Sequence, residues 1–204
     1  MALKKNKIRG LVFVVSGPSG SGKTTLLKQL LQDKPLSKKL VKSISLTTRP
    51  QRSNEKSGHD YFFVSQEDFR RARKAKKILE WTKYLGYYYA TPKDFVDKQL
   101  GQGKHIVLCL ELKGALAVKR LYPENTVTVF VTPPSLKTLQ HRIGKRCYKT
   151  KKEEIRERLK LARQEILDSC RYDYCLVNNN LVRAVKSFKD IIINEISAKE
   201  QRSL

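Results

Sequence analysis

The sequence has no long apolar run. Its longest, residues 11–15 and 106–110, fall far short of the roughly 20 residues that a membrane-spanning helix needs. Residues 1–8 are basic, with no apolar stretch and no small-residue cleavage site. A secretory signal is therefore not expected, and a cytoplasmic location is. Acids are scarce: 19 Asp plus Glu stand against 43 Lys plus Arg, a formal net charge of +24. That balance excludes a strongly acidic calcium binder and predicts contact with anions, whether nucleotides, nucleic acid or an acidic surface. Paired cysteines are missing too. Cys109, Cys147, Cys170 and Cys175 form no C-x-x-C pair, and none lies beside a histidine at zinc-ligand spacing. They read as unpaired, mostly buried thiols of a reducing compartment. Cys147 stands apart because Lys145, Arg146 and Lys149 would lower its pKa, although a bystander thiol is the simpler reading. Internal repeats and low-complexity tracts are absent.

What is present is a soluble globular composition. The chain has 204 residues, 40% hydrophobic and 30% charged, enough for one large domain or a compact core with small inserts. Residues 10–16 form a continuous apolar run, as a central strand buried on both faces requires. A glycine-rich turn follows, then leucines 26, 27, 30 and 31 at helical spacing over residues 23–32. Further strands are expected over 42–46, 105–111, 126–131 and 174–177. Helices are expected over 92–100, 114–121, 135–142, 152–167 and 181–196. This alternation predicts a parallel sheet covered by helices. Residues 47–90 break the pattern with short aromatic strands, as in a small antiparallel insert. Residues 145–152, rich in lysine and arginine, read as a solvated loop.

Gly17-Pro18-Ser19-Gly20-Ser21-Gly22-Lys23-Thr24 matches G-x-x-x-x-G-K-[ST] in full, between an expected strand and an expected helix. Glycines allow positive φ, so successive backbone N–H groups can turn toward phosphate oxygens. The helix N-terminus adds partial positive charge. Lys23 would bridge β- and γ-phosphates, and the Thr24 hydroxyl would coordinate Mg²⁺. A capping turn of the same composition is the bland alternative, and both flanks argue against it.

The next segment reads Ser43-Ile44-Ser45-Leu46-Thr47-Thr48-Arg49-Pro50-Gln51-Arg52. After it come Gly58-His59-Asp60-Tyr61, Leu79-Glu80-Trp81 and Tyr88-Tyr89-Ala90-Thr91. In order and register these motifs resemble the guanylate kinase family, P-loop nucleoside monophosphate kinases that phosphorylate GMP from ATP. The resemblance continues through 131–135, Arg142, Arg146, Arg158 and 172–178, and covers nearly the whole chain.

The resemblance implies an α/β fold: a P-loop parallel-sheet core flanked by helices, a small mixed α/β GMP-binding insert and a helical lid. The core would comprise residues 1–44, 98–135 and 164–204, the insert 45–97 and the lid 136–163. It also implies Mg·ATP as donor, GMP and dGMP as acceptors, and an ATP site over residues 17–25, including Thr25, with Asn178 near the adenine. Arg142, Arg146 and Arg158 would approach the transferring phosphates. Arg158 matches only with a one-residue insertion in the preceding loop.

The acceptor residues make chemical sense in themselves. A monophosphate dianion suits guanidinium forks and phenol donors, which Arg49, Arg52, Tyr61 and Tyr89 supply. Guanine offers N1–H and an N2 amino group on one edge, and the Glu80 carboxylate can accept from both; adenine shows a bare acceptor there. Ser45 and Thr91 would complete base recognition. Taken singly, Glu80 reads as an exposed strand charge and the tyrosines as packing. Phosphoryl transfer to an ionised phosphate asks for positioning and charge neutralisation, so His59, His105 and His141 stay bystanders.

One departure concerns the family's D-x-D strand end, here Cys109-Leu110-Glu111. Glu111 is left as the principal acid near acceptor and metal, and a thiol cannot replace a carboxylate on Mg²⁺.

The nearest enzyme alternative is a kinase for another monophosphate, and Glu80 argues against AMP; two further rivals are not enzymes. A guanylate-kinase-like protein-binding module should have lost the phosphate loop or the lid arginines, and this chain keeps both. A nucleic-acid binder would suit the charge, but no nucleic-acid motif is present. Weak nonspecific nucleic-acid contact is the residual expectation, with no obligate protein partner and no membrane association.

Overall fold

The computed structural model describes residues 10–146 and 152–202; the side chains of 146, 152 and 154 are outside the description. Cys147 and the rest of the basic segment 147–151 lie outside the described residues.

The chain forms two compact units, interleaved in sequence. One comprises the described part of Met1–Val12 together with Lys39–Thr126; the other comprises Phe13–Lys38 and the described part of Val127–Leu204. Five strands make one sheet: β1 (Val12–Ser16), β2 (Leu40–Lys42), β7 (His105–Cys109), β8 (Thr126–Thr132) and β9 (Tyr174–Val177). Their order is β2-β7-β1-β8-β9, and the β2–β7 and β8–β9 pairs are parallel. All five residues of β1 are buried, which explains its unbroken apolar sequence.

The second unit also holds α1 (Lys23–Leu30), α2 (Lys34–Lys39, ending at the unit boundary), α6 (Leu136–Arg146), α7 (Lys152–Leu167) and α8 (Leu181–Arg202). Leu26, Leu27 and Leu30 form the buried face of α1; Ala184, Phe188, Ile192 and Ile196 form that of α8. Both sets repeat at helical spacing, so each helix hides one stripe and wets the other. Lys189 bonds to Asp33 and ties α8 to the turn after α1.

A second sheet belongs wholly to the first unit. It comprises β3 (Leu46–Thr47), β4 (Phe62–Phe63), β5 (Ile78–Tyr84) and β6 (Tyr87–Pro92), in the order β4-β3-β6-β5. With it go α3 (Gln66–Lys74), α4 (Lys93–Gly101) and α5 (Leu112–Leu121). Within it β3 and β4 are parallel, so the sheet is mixed where a purely antiparallel one was expected. Another difference is α3, which lies in a stretch read as strand-like. Its interior is charged, and Phe69 alone is buried. The Ser65 hydroxyl accepts from the Asp68 N–H at 3.0 Å and caps it. Phe69 stacks on Tyr88, ring centroids 4.9 Å apart, anchoring the helix on β6.

The strand expected over 42–46 is interrupted. β2 ends at Lys42, Ser43 N–H donates to Val107 O, and β3 begins at Leu46. Nor are the described cysteines buried as expected. Cys109 is half-buried and Cys170 and Cys175 are exposed. Cys170 lies on a 3-10 turn, and Cys175 is on edge strand β9, where alternate side chains face outward. His105 behaves as a structural histidine, its Nδ1 accepting from Leu11 N–H at 3.0 Å.

Candidate active site

What the sequence implies to be the donor half lies in the second unit, at the exit of β1. Gly17 and Gly22 adopt φ of 133° and 98°, values that L side chains avoid. Space forbids side chains there as well. A Cβ on Gly17 would stand 2.1 Å from Val131 O, and one on Gly22 would stand 2.3 Å from Asn178 Nδ2. Ser21 N–H donates to Pro18 O at 3.0 Å, closing the turn, and Gly22 forms the N-cap of α1. The Lys23 ammonium curls over the loop and donates to Gly17 O and Pro18 O. Thr24 and Thr25 are exposed on the first turn of α1, which carries no acid.

Three expected partners converge on this loop. Arg158 Nη1 donates to Ser19 Oγ at 2.9 Å. Arg142 reaches Asn178 O at 3.1 Å and Ser21 O at 3.4 Å. Asn178 is buried, and its amide donates to Ser21 O at 2.8 Å, so it braces the loop directly. Below the arginines, Leu139, Ile143 and Ala162 form an apolar cluster. It touches the loop, since a Cβ on Gly20 would stand 3.1 Å from Ile143 and 3.2 Å from Leu139. Arg146 closes α6, and its side chain is among those not described.

The residues expected to form the acceptor half lie in the first unit, on or near the mixed sheet. Cross-strand register puts Glu80 on β5 opposite Thr91 on β6. The Thr91 hydroxyl donates to Glu80 Oε1 at 2.6 Å, and both residues are buried. Gly114, in the first turn of α5, makes room for the other oxygen: a Cβ there would be 2.7 Å from Glu80 Oε2. Burial raises the Glu80 carboxyl above its ordinary value; Thr91 opposes this and the charge of Glu111 adds to it. Glu111 itself accepts from Thr82 Oγ1 at 3.3 Å. The strand expected over 105–111 stops at Cys109, so Glu111 is the N-cap of α5 and not a strand end, and it sits within electrostatic reach of Glu80.

Arg49 is clamped. Its Nη1 and Nη2 donate to Glu55 Oε2 and Oε1 at 3.0 and 2.8 Å, and Nη1 donates to Pro50 O at 2.6 Å. The guanidinium lies 5.4 Å from the Tyr61 ring centroid and is also coupled to the Tyr89 phenol. Tyr61 and Tyr89 meet edge to face at 6.0 Å. Burial pushes the Tyr61 phenol up to about 12, helped by Cys109 and Tyr89, so it keeps its proton as a donor. Arg52 is half-exposed, with Nη1 3.9 Å from Glu55 Oε1. Ser45 accepts through its carbonyl from Phe62 N–H at 2.9 Å, which fixes its place beside β4.

Sequence reasoning passed over Glu55, Thr82 and Gly114. Glu55 carried a faint signal as the lone acid in the basic stretch 49–56. Thr82 and Gly114 carried none, because their contacts arise from cross-strand register and a helix approach.

The donor half suits a magnesium–phosphate pair. Among the described residues, no group of three His, Cys, Asp or Glu could hold a metal ion alone. An exposed threonine hydroxyl beside a phosphate-turning loop matches Mg²⁺, which keeps several waters and takes few protein ligands. Among the described residues, no helix is long and apolar enough to cross a membrane.

Comparison with known proteins agrees. Residues 9–195 match the family model described as guanylate kinase. The guanylate kinase of Caldanaerobacter subterraneus subsp. tengcongensis is 43% identical over 195 residues, covering 96% of this chain and 91% of that one. For the guanylate kinase of Thermotoga maritima the figures are 41%, 92% and 88%. The crystal structure of guanylate kinase from Anaplasma phagocytophilum superposes with a TM-score of 0.76 at 30% identity, covering 93% of this chain and 87% of that one. With the family model spanning nearly the full length and relatives above 40% identity, the chain belongs to the guanylate kinase family, enzymes that phosphorylate GMP with ATP as donor.

Proposed function

We infer that this chain transfers the γ-phosphoryl group of Mg·ATP to GMP, and to dGMP, giving ADP and GDP. The observation that carries the choice of acceptor is the buried Glu80 carboxylate, with Oε1 held by Thr91 and Oε2 beside the opening turn of α5. Guanine brings the paired N–H donors such a carboxylate lacks. Adenine would set a lone pair against it, and a site built this way discriminates by about 10⁴-fold or more. Arg49, Arg52, Tyr61 and Tyr89 take the acceptor phosphate, Ser45 and Thr91 frame the base, and Glu111 supports base recognition.

On the donor side, backbone N–H groups of residues 17–25 receive the ATP phosphates. Lys23 leaves its loop carbonyls for the β- and γ-phosphates, a charge-assisted exchange. Thr24 would hold Mg²⁺, which supplies charge neutralisation across the phosphates when bound. Arg142, Arg146 and Arg158 neutralise charge that builds on the transferring group. No covalent intermediate and no general base are required, because the acceptor oxygen is already anionic. Thr91 and the α5 turn keep Glu80 from rotating, and Tyr61 holds its proton so that it can donate.

The test is ADP release from Mg·ATP with GMP, dGMP, AMP, CMP and UMP offered separately. Turnover confined to GMP and dGMP is expected. Comparable turnover of AMP would remove Glu80 from recognition.

A further inference from the structure

Glu55 touches neither nucleotide in the reading above, yet its carboxylate organises the acceptor-phosphate arginines. Its side chain is 10% exposed and that of Arg49 is 11% exposed, so the pair is largely withdrawn from water. Such burial earns little stability, because desolvating two charges offsets most of their attraction. Glu55 also accepts from Arg52 N–H at 3.0 Å, and Glu55 N–H donates to Arg52 O at 3.1 Å. Burial raises the Glu55 carboxyl, but Arg49 and Arg52 N–H outweigh this and hold it below its ordinary value, ionised at neutral pH.

The geometry of the clamp is informative. A guanidinium carries five N–H bonds: two on each Nη and one on Nε. Glu55 takes one from each Nη, across the end of the fork, and Pro50 O takes the second on Nη1. The edge formed by Nε–H and the second Nη2–H is then turned away from Glu55, and the Tyr89 phenol, itself assigned to the same phosphate, also bears on this guanidinium. That edge can grip two oxygens of a phosphate side by side. Tyr61 and Phe63 pack on the same guanidinium, at 5.4 and 5.7 Å from their ring centroids, and limit its rotation about the clamp.

We propose that Glu55 is a positioning residue for acceptor binding: it fixes Arg49 end-on, so that the lateral edge of the guanidinium is presented to the phosphate of GMP. The proposal rests on the assignment of Arg49 to that phosphate. Glu55 acts through Arg49 and Arg52 and makes no contact with substrate.

The experiment is steady-state kinetics of the full chain with Mg·ATP and GMP for wild type, Glu55→Gln, Glu55→Asp, Arg49→Ala and the Arg49→Ala/Glu55→Gln double variant. Calorimetric binding of guanosine, which lacks the phosphate, accompanies it. Glu55→Gln is expected to raise KM for GMP by about tenfold or more, the scale of a lost charged hydrogen bond. KM for ATP and guanosine affinity should stay within about twofold, as for contacts remote from the change. Glu55→Asp, which keeps the charge on a shorter arm, should fall between wild type and Gln. The double variant should be no worse than Arg49→Ala alone. If Glu55→Gln does not fold, Glu55→Asp carries the same comparison.

An unchanged KM for GMP in Glu55→Gln, with a large rise in Arg49→Ala, would overturn the proposal and leave the Arg49 assignment standing. A lowered KM would overturn it in another way, by making Glu55 a competitor of phosphate. Parallel loss of guanosine affinity would assign the effect to the fold of the unit and also defeat it. An unchanged KM in Arg49→Ala would refute the Arg49 assignment itself, and the proposal with it.

Discussion

Glu80 stands in opposition to the stability of the unliganded protein. Its folded pKa lies above the ordinary 4.5, chiefly through burial, so the folded state holds this proton more tightly than the unfolded chain does. The stabilising contribution is full below the ordinary pKa and is lost as pH rises through the raised folded value. At neutral pH the buried charge weighs against the fold. Glu80→Gln keeps the acceptor for Thr91 and removes the charge. It is expected to raise the Tm of the free protein at pH 7, by roughly 2–4 °C if the relief is about 1 kcal/mol. The same change should lower kcat/KM for GMP by about 10² or more. Thermal melts at pH 4 and pH 7 check the first part, since the gain should shrink at the lower pH. A Tm gain with unchanged GMP kinetics would detach the charge from recognition. Glu111 yields a second prediction. Its position by Thr82 and Glu80 associates it with the acceptor base, so Glu111→Gln should raise KM for GMP and leave the half-saturating Mg²⁺ concentration unchanged. A Mg²⁺ titration that shifts would move Glu111 to the metal.

The turn between β1 and α1 is the element with least freedom to vary. Gly22→Ala asks an L residue to hold φ near 98° and drives a methyl to 2.3 Å from the Asn178 amide, which braces Ser21. The expected outcome is loss of nearly all turnover, a Tm lowered by several degrees and retained GMP binding, read by calorimetry. Full activity would mean that the loop tolerates another path. This element was legible in the sequence because its signals agree: a continuous apolar strand, glycines at fixed spacing, and leucines at helical period. So were α7 and β9, whose spans match expectation. Helix α3 was not legible, since one buried Phe69 amid six charged residues leaves little periodic trace. The Arg49–Glu55 clamp was equally hidden, because which base an acid grips depends on how the 49–55 loop folds back. Glu80 and Thr91 were each named for recognition. Their direct hydrogen bond follows from a register that no local pattern encodes.

At the scale of the molecule, a charge of +24 repels itself. The basic residues proposed to meet nucleotide phosphates, Lys23, Arg49, Arg52, Arg142, Arg146 and Arg158, are a small share of the 43 lysines and arginines. Raising KCl from about 0.02 to 0.3 M shortens the screening length to well under 10 Å and should raise Tm. Differential scanning calorimetry in a salt series checks this. A flat or falling Tm would show that local ion pairs already balance the surface. The order in which the two units use the chain has a consequence of another kind. Residues 13–38, with the phosphate loop and α1, are made early, yet the rest of their unit begins only at Val127. During translation the first unit has all its strands and helices once Thr126 has been made. Phe13, Val14, Val15, Leu26, Leu27 and Leu30, all buried in the finished protein, are made well before the rest of their unit. A nascent chain halted near residue 126 thus carries the phosphate loop and α1 without most of β8 and without α6, α7 or α8 of their own unit. Because α8 packs on α1, burial of the apolar face of α1 is complete only after α8 has been made, and apolar surface exposed in the meantime is what chaperones bind.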